Sequence, residues 1–211
     1  VYKRQILAHT MSRLRDAGVR KVIVNAFHLA EQIEAFFDRY EGVTVRREES
    51  LLETGGALAA MAAEALLPDA PFYILNGDSY WVDGPSAALP RLAEAFDPRR
   101  EDAMLLLARS AGTIAETRFG DFVWDREAGL RRREEREVAP YLYSGIQIAT
   151  TALLHSDKVE RFSMNRLWDE ALAAGRLNAI VHDGVWLHLT TPEDILRAEE
   201  LLAAREVGNS T

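Results

Sequence analysis

Three consecutive β-branched residues, Val22-Ile23-Val24 in "KVIVNA", sit between two stretches of helical periodicity, and that juxtaposition constrains the fold more than any other feature of the chain. A strand that is apolar on both faces must be covered on both faces, as in a parallel sheet flanked by helices. The helix before it reads from "ILAHTMSRLRDAGV", with Leu7, Met11 and Leu14 on one side and Gly18 just past its end. The helix after it reads from "LAEQIEAFFDRY" through Leu29, Ile33, Phe36 and Phe37. The alternation continues with a strand "VTVRREE", a helix from Ala57 to Leu67, a strand "FYILNGD", a helix "SAALPRLAEAF" and a strand "AMLLLA". Strands and helices in turn predict an open, mostly parallel α/β sheet with helices on both faces.

After Ser110 the pattern changes. "FGDFVWDREAGLRRRE" reads as a hairpin, "YLYSGIQIA" as a strand, "NRLWDEALAAG" as a helix, and "LNAIVHDGVWLHLT" as one or two strands before a last helix from Pro192. No Pro/Gly/Ser-rich linker separates the halves, so the second is expected as an antiparallel extension on one core. The basic run 131–136, "RRREER", alternates into acid and reads as a solvated hairpin arm rather than a phosphate site.

A chain of 211 residues that is 48% hydrophobic and 27% charged can bury a substantial core, which excludes a disordered or fibrous protein. The net charge of −8 argues against a nucleic-acid groove. The absence of cysteine excludes disulfides and thiolate chemistry and fits a reducing compartment. No apolar run has the length of a membrane span or the flanks of a secretory signal, so the expected location is cytoplasmic.

Ligands of an open α/β sheet bind beyond the carboxyl ends of its strands, and two stretches fall there. Thr54-Gly55-Gly56 precedes a helix, where bare backbone lets N–H groups approach a ligand; the alternative is an N-cap threonine with a glycine turn. Asn76-Gly77-Asp78 follows the strand "FYIL" and puts a carboxylate at the sheet edge, suited to Mg²⁺ or to capping the next segment.

The ordered blocks "LLETGGAL", "FYILNGDSYW", "GDFVWD", "YLYSGIQI", "FSMNRLWDEALAAGRL" and "GVWLHLTTPEDI" together resemble the sugar-1-phosphate nucleotidyltransferases. Within that family the resemblance is closest to N-acetylmuramate-1-phosphate uridylyltransferases and mannose-1-phosphate guanylyltransferase-like proteins. It runs from Ile6 to about Leu202 and implies a Rossmann-like fold. It also implies joining of a sugar 1-phosphate to a nucleoside triphosphate with release of pyrophosphate, the leading pair being UTP with N-acetylmuramate 1-phosphate. GTP with mannose 1-phosphate, or a non-catalytic binder of nucleotide sugars, are the alternatives. By the resemblance Thr54, Gly55 and Gly56, with Asn76, line the nucleotide, and Asp78 holds Mg²⁺ and carries catalysis. Gly120, Asp121, Tyr143, Ser144, Gly145 and Asn165 fall on the sugar-phosphate side, with Trp168 in the same block as Asn165.

Two departures from the family pattern stand out. His188 takes the place of an aspartate in many relatives, and imidazole suits Mg²⁺ poorly. It can join Asp78 as a metal ligand, directly or through water, meet phosphate, or rest beside Trp186. The family also opens with a strand, a glycine-rich loop with an arginine and a Lys-Pro-Leu segment that grip the triphosphate, and none of these precedes Ile6. Residues 1–5, "VYKRQ", back-translate to GTGTATAAGAGACAG, the end of a common transposon-based sequencing adapter. The expectation is therefore non-native residues 1–5, a single domain over 6–205 lacking its first strand, and a tail over 206–211. Such a chain is expected to be poorly stable and inactive as written.

Overall fold

The computed structural model describes residues 2–111, 119–154 and 158–208. It opens with α1 (Tyr2–Asp16), β1 (Val22–Ala26), α2 (Ala30–Phe37), β2 (Val43–Arg47), α3 (Glu53–Ala63), β3 (Phe72–Leu75), β4 (Ser79–Val82), α4 (Ala88–Ala95) and β5 (Ala103–Arg109). The hairpin β6 (Phe122–Asp125) and β7 (Gly129–Arg132) follows, then β8 (Tyr141–Ala149), α5 (Met164–Ala173), β9 (Leu177–Val181), β10 (Val185–His188) and α6 (Pro192–Gly208).

β8 organises the main sheet. β5 runs antiparallel along one of its edges, and β3 and β6 share the other, β3 against 146–149 and β6 at Tyr141. β9 adds parallel to β5, and β7 closes the far side by pairing with β6. By direction β3 and β5 agree, as the sequence predicts, and β9, expected in the antiparallel extension, runs parallel to β5 as well. The inserted β8 makes the ladders beside it antiparallel, so parallel hydrogen bonding is confined to β5–β9 and to β1–β2. β4 and β10 form a separate antiparallel ribbon.

Both faces of this sheet are covered, which explains why β5 is apolar from Ala103 to Ala108. Met104, Leu106 and Ala108 pack with Leu89, Leu92 and Trp81 on one side, while Ala103, Leu105 and Leu107 pack with Leu58, Leu167 and Ala171 on the other. β1 and β3 alternate between the same two layers: Val22, Val24, Tyr73 and Leu75 join the first, and Ile23, Phe72 and Ile74 the second. No ladder joins β1 to β3 among the described residues, and each pairs along one edge alone.

The elements differ from expectation in four places. α1 extends back to Tyr2, because neither glycine nor proline precedes Ile6 to stop it. α3 spans Glu53–Ala63 instead of starting at Ala57, so Thr54-Gly55-Gly56 form its first turn. Glu53, at φ 60°, swings the chain into that helix, and Ala65, at φ 54°, turns it away at the far end. β4 begins directly after Asp78, with only Asn76-Gly77-Asp78 between it and β3, and its partner β10 lies a hundred residues on. α6 continues to Gly208, through the first half of the expected tail; residues 1 and 209–211 lie outside the described residues.

Candidate active site

Asn76 leaves β3 with its N–H donated to the Gly145 carbonyl (2.8 Å). Gly145 has φ 78°, and a Cβ on it would overlap Ser79 Oγ and approach Asn76 Cβ to 3.0 Å. Only glycine lets β8 come this close to the β3–β4 turn. The neighbouring Ser144 carbonyl accepts from Ser79 Oγ (2.8 Å) and Trp186 Nε1 (2.7 Å), which ties the β4–β10 ribbon to the sheet. Ser144 and Gly145 thus build the floor beneath the turn.

Asp78 projects from that turn. Its Oδ2 lies 3.1 Å from His188 Nε2, and the Leu189 N–H donates to its carbonyl (3.1 Å). A carboxylate only accepts, so the imidazole donates from Nε2. The ring is stacked on Trp186 (6.1 Å between centroids, 12° between planes). In this arrangement His188 Nε2 is engaged by Asp78 while the ring rests on Trp186.

Beside the turn opens a cleft of about 440 Å³, lined by Glu53, Thr54, Asn76, Asp121, Phe122, Arg132, Tyr143, Ser163, Met164, Asn165 and Trp168, a size suited to a small-molecule site. Asp121 is held there by the Tyr143 N–H donating to its Oδ2 (2.9 Å) and by its own N–H donating to the Tyr141 carbonyl (2.7 Å). Burial pushes the Tyr143 phenol well above its ordinary pKa, so it stays a neutral hydroxyl. Trp168 meets Tyr143 edge-on (4.6 Å) and donates from Nε1 to Gln147 Oε1 (2.9 Å). Its helix, α5, is started by Ser163, whose hydroxyl accepts from the Asn165 N–H (3.2 Å).

Of the residues expected at a site, the structure brings Thr54, Asn76, Asp121, Tyr143, Asn165 and Trp168 to one cleft. The glycines serve the chain itself. A Cβ on Gly55 would lie 2.5 Å from the Phe162 ring, one on Gly56 would overlap the Glu160 carbonyl, and the Gly56 N–H donates to the Phe162 carbonyl (3.1 Å). The bare backbone of α3 thus admits residues 160–162, and Thr54 is not its N-cap, a position held by Leu52. Gly120, at φ 69°, is pressed against Ala139. Asp78 and His188 stand next to the cleft rather than in its lining.

Arg132 is the lining residue that the solvated-arm reading missed. In the hairpin it shares a face with Leu130, which packs on the core, and it pairs across to the buried Phe122; period-two alternation was the available signal. Its neighbours do behave as a surface arm: Arg131 pairs with Glu137 (2.7 Å), and Arg133 donates to the carbonyls of Glu134, Glu135 and Glu137.

As a metal site, the described residues include no cluster of three or more His, Asp or Glu arranged to hold an ion. Asp78 supplies one carboxylate, which fits a hard divalent cation that completes its shell with phosphate oxygens and water. No described helix is long and apolar enough to cross a membrane.

A mixed sheet covered on both faces, its ladders mostly antiparallel, with a polar cleft and a carboxylate beyond the carboxyl end of β3, defines an α/β protein of the kind that binds ligands at its strand ends. The chain is 30% identical over 205 residues to the N-acetylmuramate alpha-1-phosphate uridylyltransferase of Caulobacter vibrioides, covering 94% of this chain and 84% of that protein. It is 26% identical over 208 residues to the mannose-1-phosphate guanylyltransferase catalytic subunit beta of Xenopus tropicalis, covering 54% of that longer protein. Among solved structures, a putative glucose-1-phosphate thymidylyltransferase from Bacillus anthracis superposes with a TM-score of 0.73 at 14% identity, covering 93% of this chain and 81% of that one. A UDP-glucose pyrophosphorylase complexed with UDP-glucose gives 0.73 at 13% identity, covering 95% and 87%. No family profile matches the chain. The chain belongs to the sugar-1-phosphate nucleotidyltransferases, a family of enzymes.

Proposed function

We propose that this protein transfers a uridylyl group from UTP to N-acetylmuramate 1-phosphate, releasing pyrophosphate, in the cytoplasm. The observation that carries the reading is the placement of Asp78 at the carboxyl end of β3, beside a cleft lined by Asn76, Asp121, Tyr143 and Asn165. The choice of substrates leans on the relative that is 30% identical.

An oxygen of the sugar 1-phosphate attacks the α-phosphorus of UTP in line, the bond from that phosphorus to the bridging oxygen breaks, and pyrophosphate leaves. The attacking phosphate is already ionised at neutral pH, so no general base is required and catalysis rests on positioning and charge neutralisation. Asn76 and Thr54 orient the nucleotide, while Asp121, Tyr143 and Asn165 orient the sugar. Asp78 holds a Mg²⁺ ion, His188 keeping its carboxylate in place; the ion, when bound, offsets phosphate charge.

Substrates are tested by measuring pyrophosphate release from each nucleoside triphosphate against a panel of sugar 1-phosphates. UTP with N-acetylmuramate 1-phosphate is expected to be fastest; preference for GTP with mannose 1-phosphate would replace this assignment.

A further inference from the structure

Arg132 enters the cleft from the outermost strand of the sheet, and it is the one cationic side chain among the described residues that line it; Glu53 and Asp121 are acidic. Its guanidinium is fixed on three sides. Nε donates to Asp169 Oδ1 (2.9 Å), Nη2 donates to Asn165 Oδ1 (3.0 Å), and the plane lies over the rings of Phe122 (4.6 Å) and Trp168 (5.5 Å). Nη1 has no hydrogen-bond partner among the described residues, and about a third of the side chain is exposed (31%). Nη2 also reaches the Asn165 carbonyl (3.4 Å), so Nη1 carries the N–H groups left for a ligand; an arginine held in this way loses little further freedom on binding an anion such as a carboxylate.

We propose that Arg132 is a specificity residue that binds a carboxylate carried by the sugar, as distinct from the sugar's 1-phosphate or the nucleotide phosphates. The inference rests on the reading of the cleft given above. Sheet order supplies the distinction. Asp78 follows β3, which pairs with the 146–149 half of β8, whereas Arg132 sits on β7, beyond β6, which meets β8 at Tyr141. A sugar whose 1-phosphate lies by Asp78 therefore presents its ring substituents, and not its phosphate, to Arg132. A sugar acid entering this cleft meets the carboxylate of Asp121, Glu53 being paired with Arg161 (2.9 Å), and Arg132 is the cationic group of the lining that can receive it.

The test compares binding of N-acetylmuramate 1-phosphate with N-acetylglucosamine 1-phosphate, which lacks the O-lactyl carboxylate, by titration calorimetry on the complete gene product. Wild type is expected to favour the carboxylate-bearing sugar by roughly tenfold or more, the scale of a charge-assisted hydrogen bond. Arg132→Gln is expected to collapse the ratio of the two dissociation constants toward one, and Arg132→Lys, which keeps the charge but not the fork, to leave an intermediate ratio. Melting curves of both variants confirm that they fold. A ratio preserved in Arg132→Gln, whether both sugars weaken together or neither changes, would overturn the proposal, since a phosphate-binding or structural arginine acts on both alike. Equal binding of the two sugars by wild type would also overturn it while leaving the transfer reaction standing; binding of neither would overturn both.

Discussion

Gly145→Ala tests how the β3–β4 turn is seated on β8. Glycine is needed there for two separable reasons. At φ 78° an alanine occupies the left-handed region, at a cost of about 1–2 kcal/mol. Its Cβ would also overlap Ser79 Oγ, whose residue is fully buried and which donates to the Ser144 carbonyl at 2.8 Å. Displacing that hydroxyl breaks a buried hydrogen bond and costs about 1–3 kcal/mol. The expected loss is therefore about 3 kcal/mol, a large part of a typical stability of about 5–15 kcal/mol. Urea unfolding of the complete gene product should show the midpoint falling by roughly 1–2 M with an unchanged slope. Removing the hydroxyl separates the two causes: Ser79→Ala should destabilise the wild type but stabilise the Gly145→Ala variant. A loss below about 0.5 kcal/mol for Gly145→Ala, or additive single effects in the double variant, would refute the reasoning.

Gly56→Ala should push the Glu160 carbonyl away from α3 and lower stability by about 1–3 kcal/mol in the same urea assay, because the added methyl meets backbone and not a mobile side chain. Trp168→Phe keeps the ring contact with Tyr143 but leaves Gln147 Oε1 buried without its donor; the expected cost is about 1–3 kcal/mol by thermal or urea melting. Hydrogen bonds from Arg131, then from the Glu134 N–H, hold the Glu137 carboxyl down to about 2 against an ordinary 4.5. A depressed carboxylate favours the folded hairpin above pH 4.5, and that contribution declines as pH falls and is gone below about 2. Carbon-detected NMR should place the Glu137 midpoint near 2, and Arg131→Ala should raise it; an unmoved midpoint would remove Arg131 as the cause.

The parts of the fold legible in the sequence were those with a local cause. Continuous apolar residues in β1 and β5 announced coverage on both faces, and the periodicity of α2, α4 and α5 survives in the residues they bury. β4 was not legible because "SYWV" follows β3 after three residues and takes its partner from β10, a pairing no local pattern records. The site divides the same way. Asn76, Asp121, Tyr143 and Asn165 were marked by turn or block position and do meet at the cleft. Thr54 reaches the cleft, and the glycines after it make room for Glu160 and Phe162, more than a hundred residues away, a close approach no local pattern records. Arg132 was hidden because charge composition describes a run as a whole, while the pleat of β7 sends neighbouring arginines to opposite faces.

The central claim is nucleotidyl transfer directed by Asp78, and it is tested most directly by its product. The complete gene product, given UTP, N-acetylmuramate 1-phosphate and Mg²⁺, should form the uridine-diphosphate-linked sugar and pyrophosphate in equal amounts, as read by mass spectrometry. Asp78→Asn should melt like the wild type and form neither. Undiminished product from Asp78→Asn would contradict the role of Asp78, and no nucleotide sugar from the wild type with any nucleoside triphosphate and sugar 1-phosphate would contradict the account as a whole.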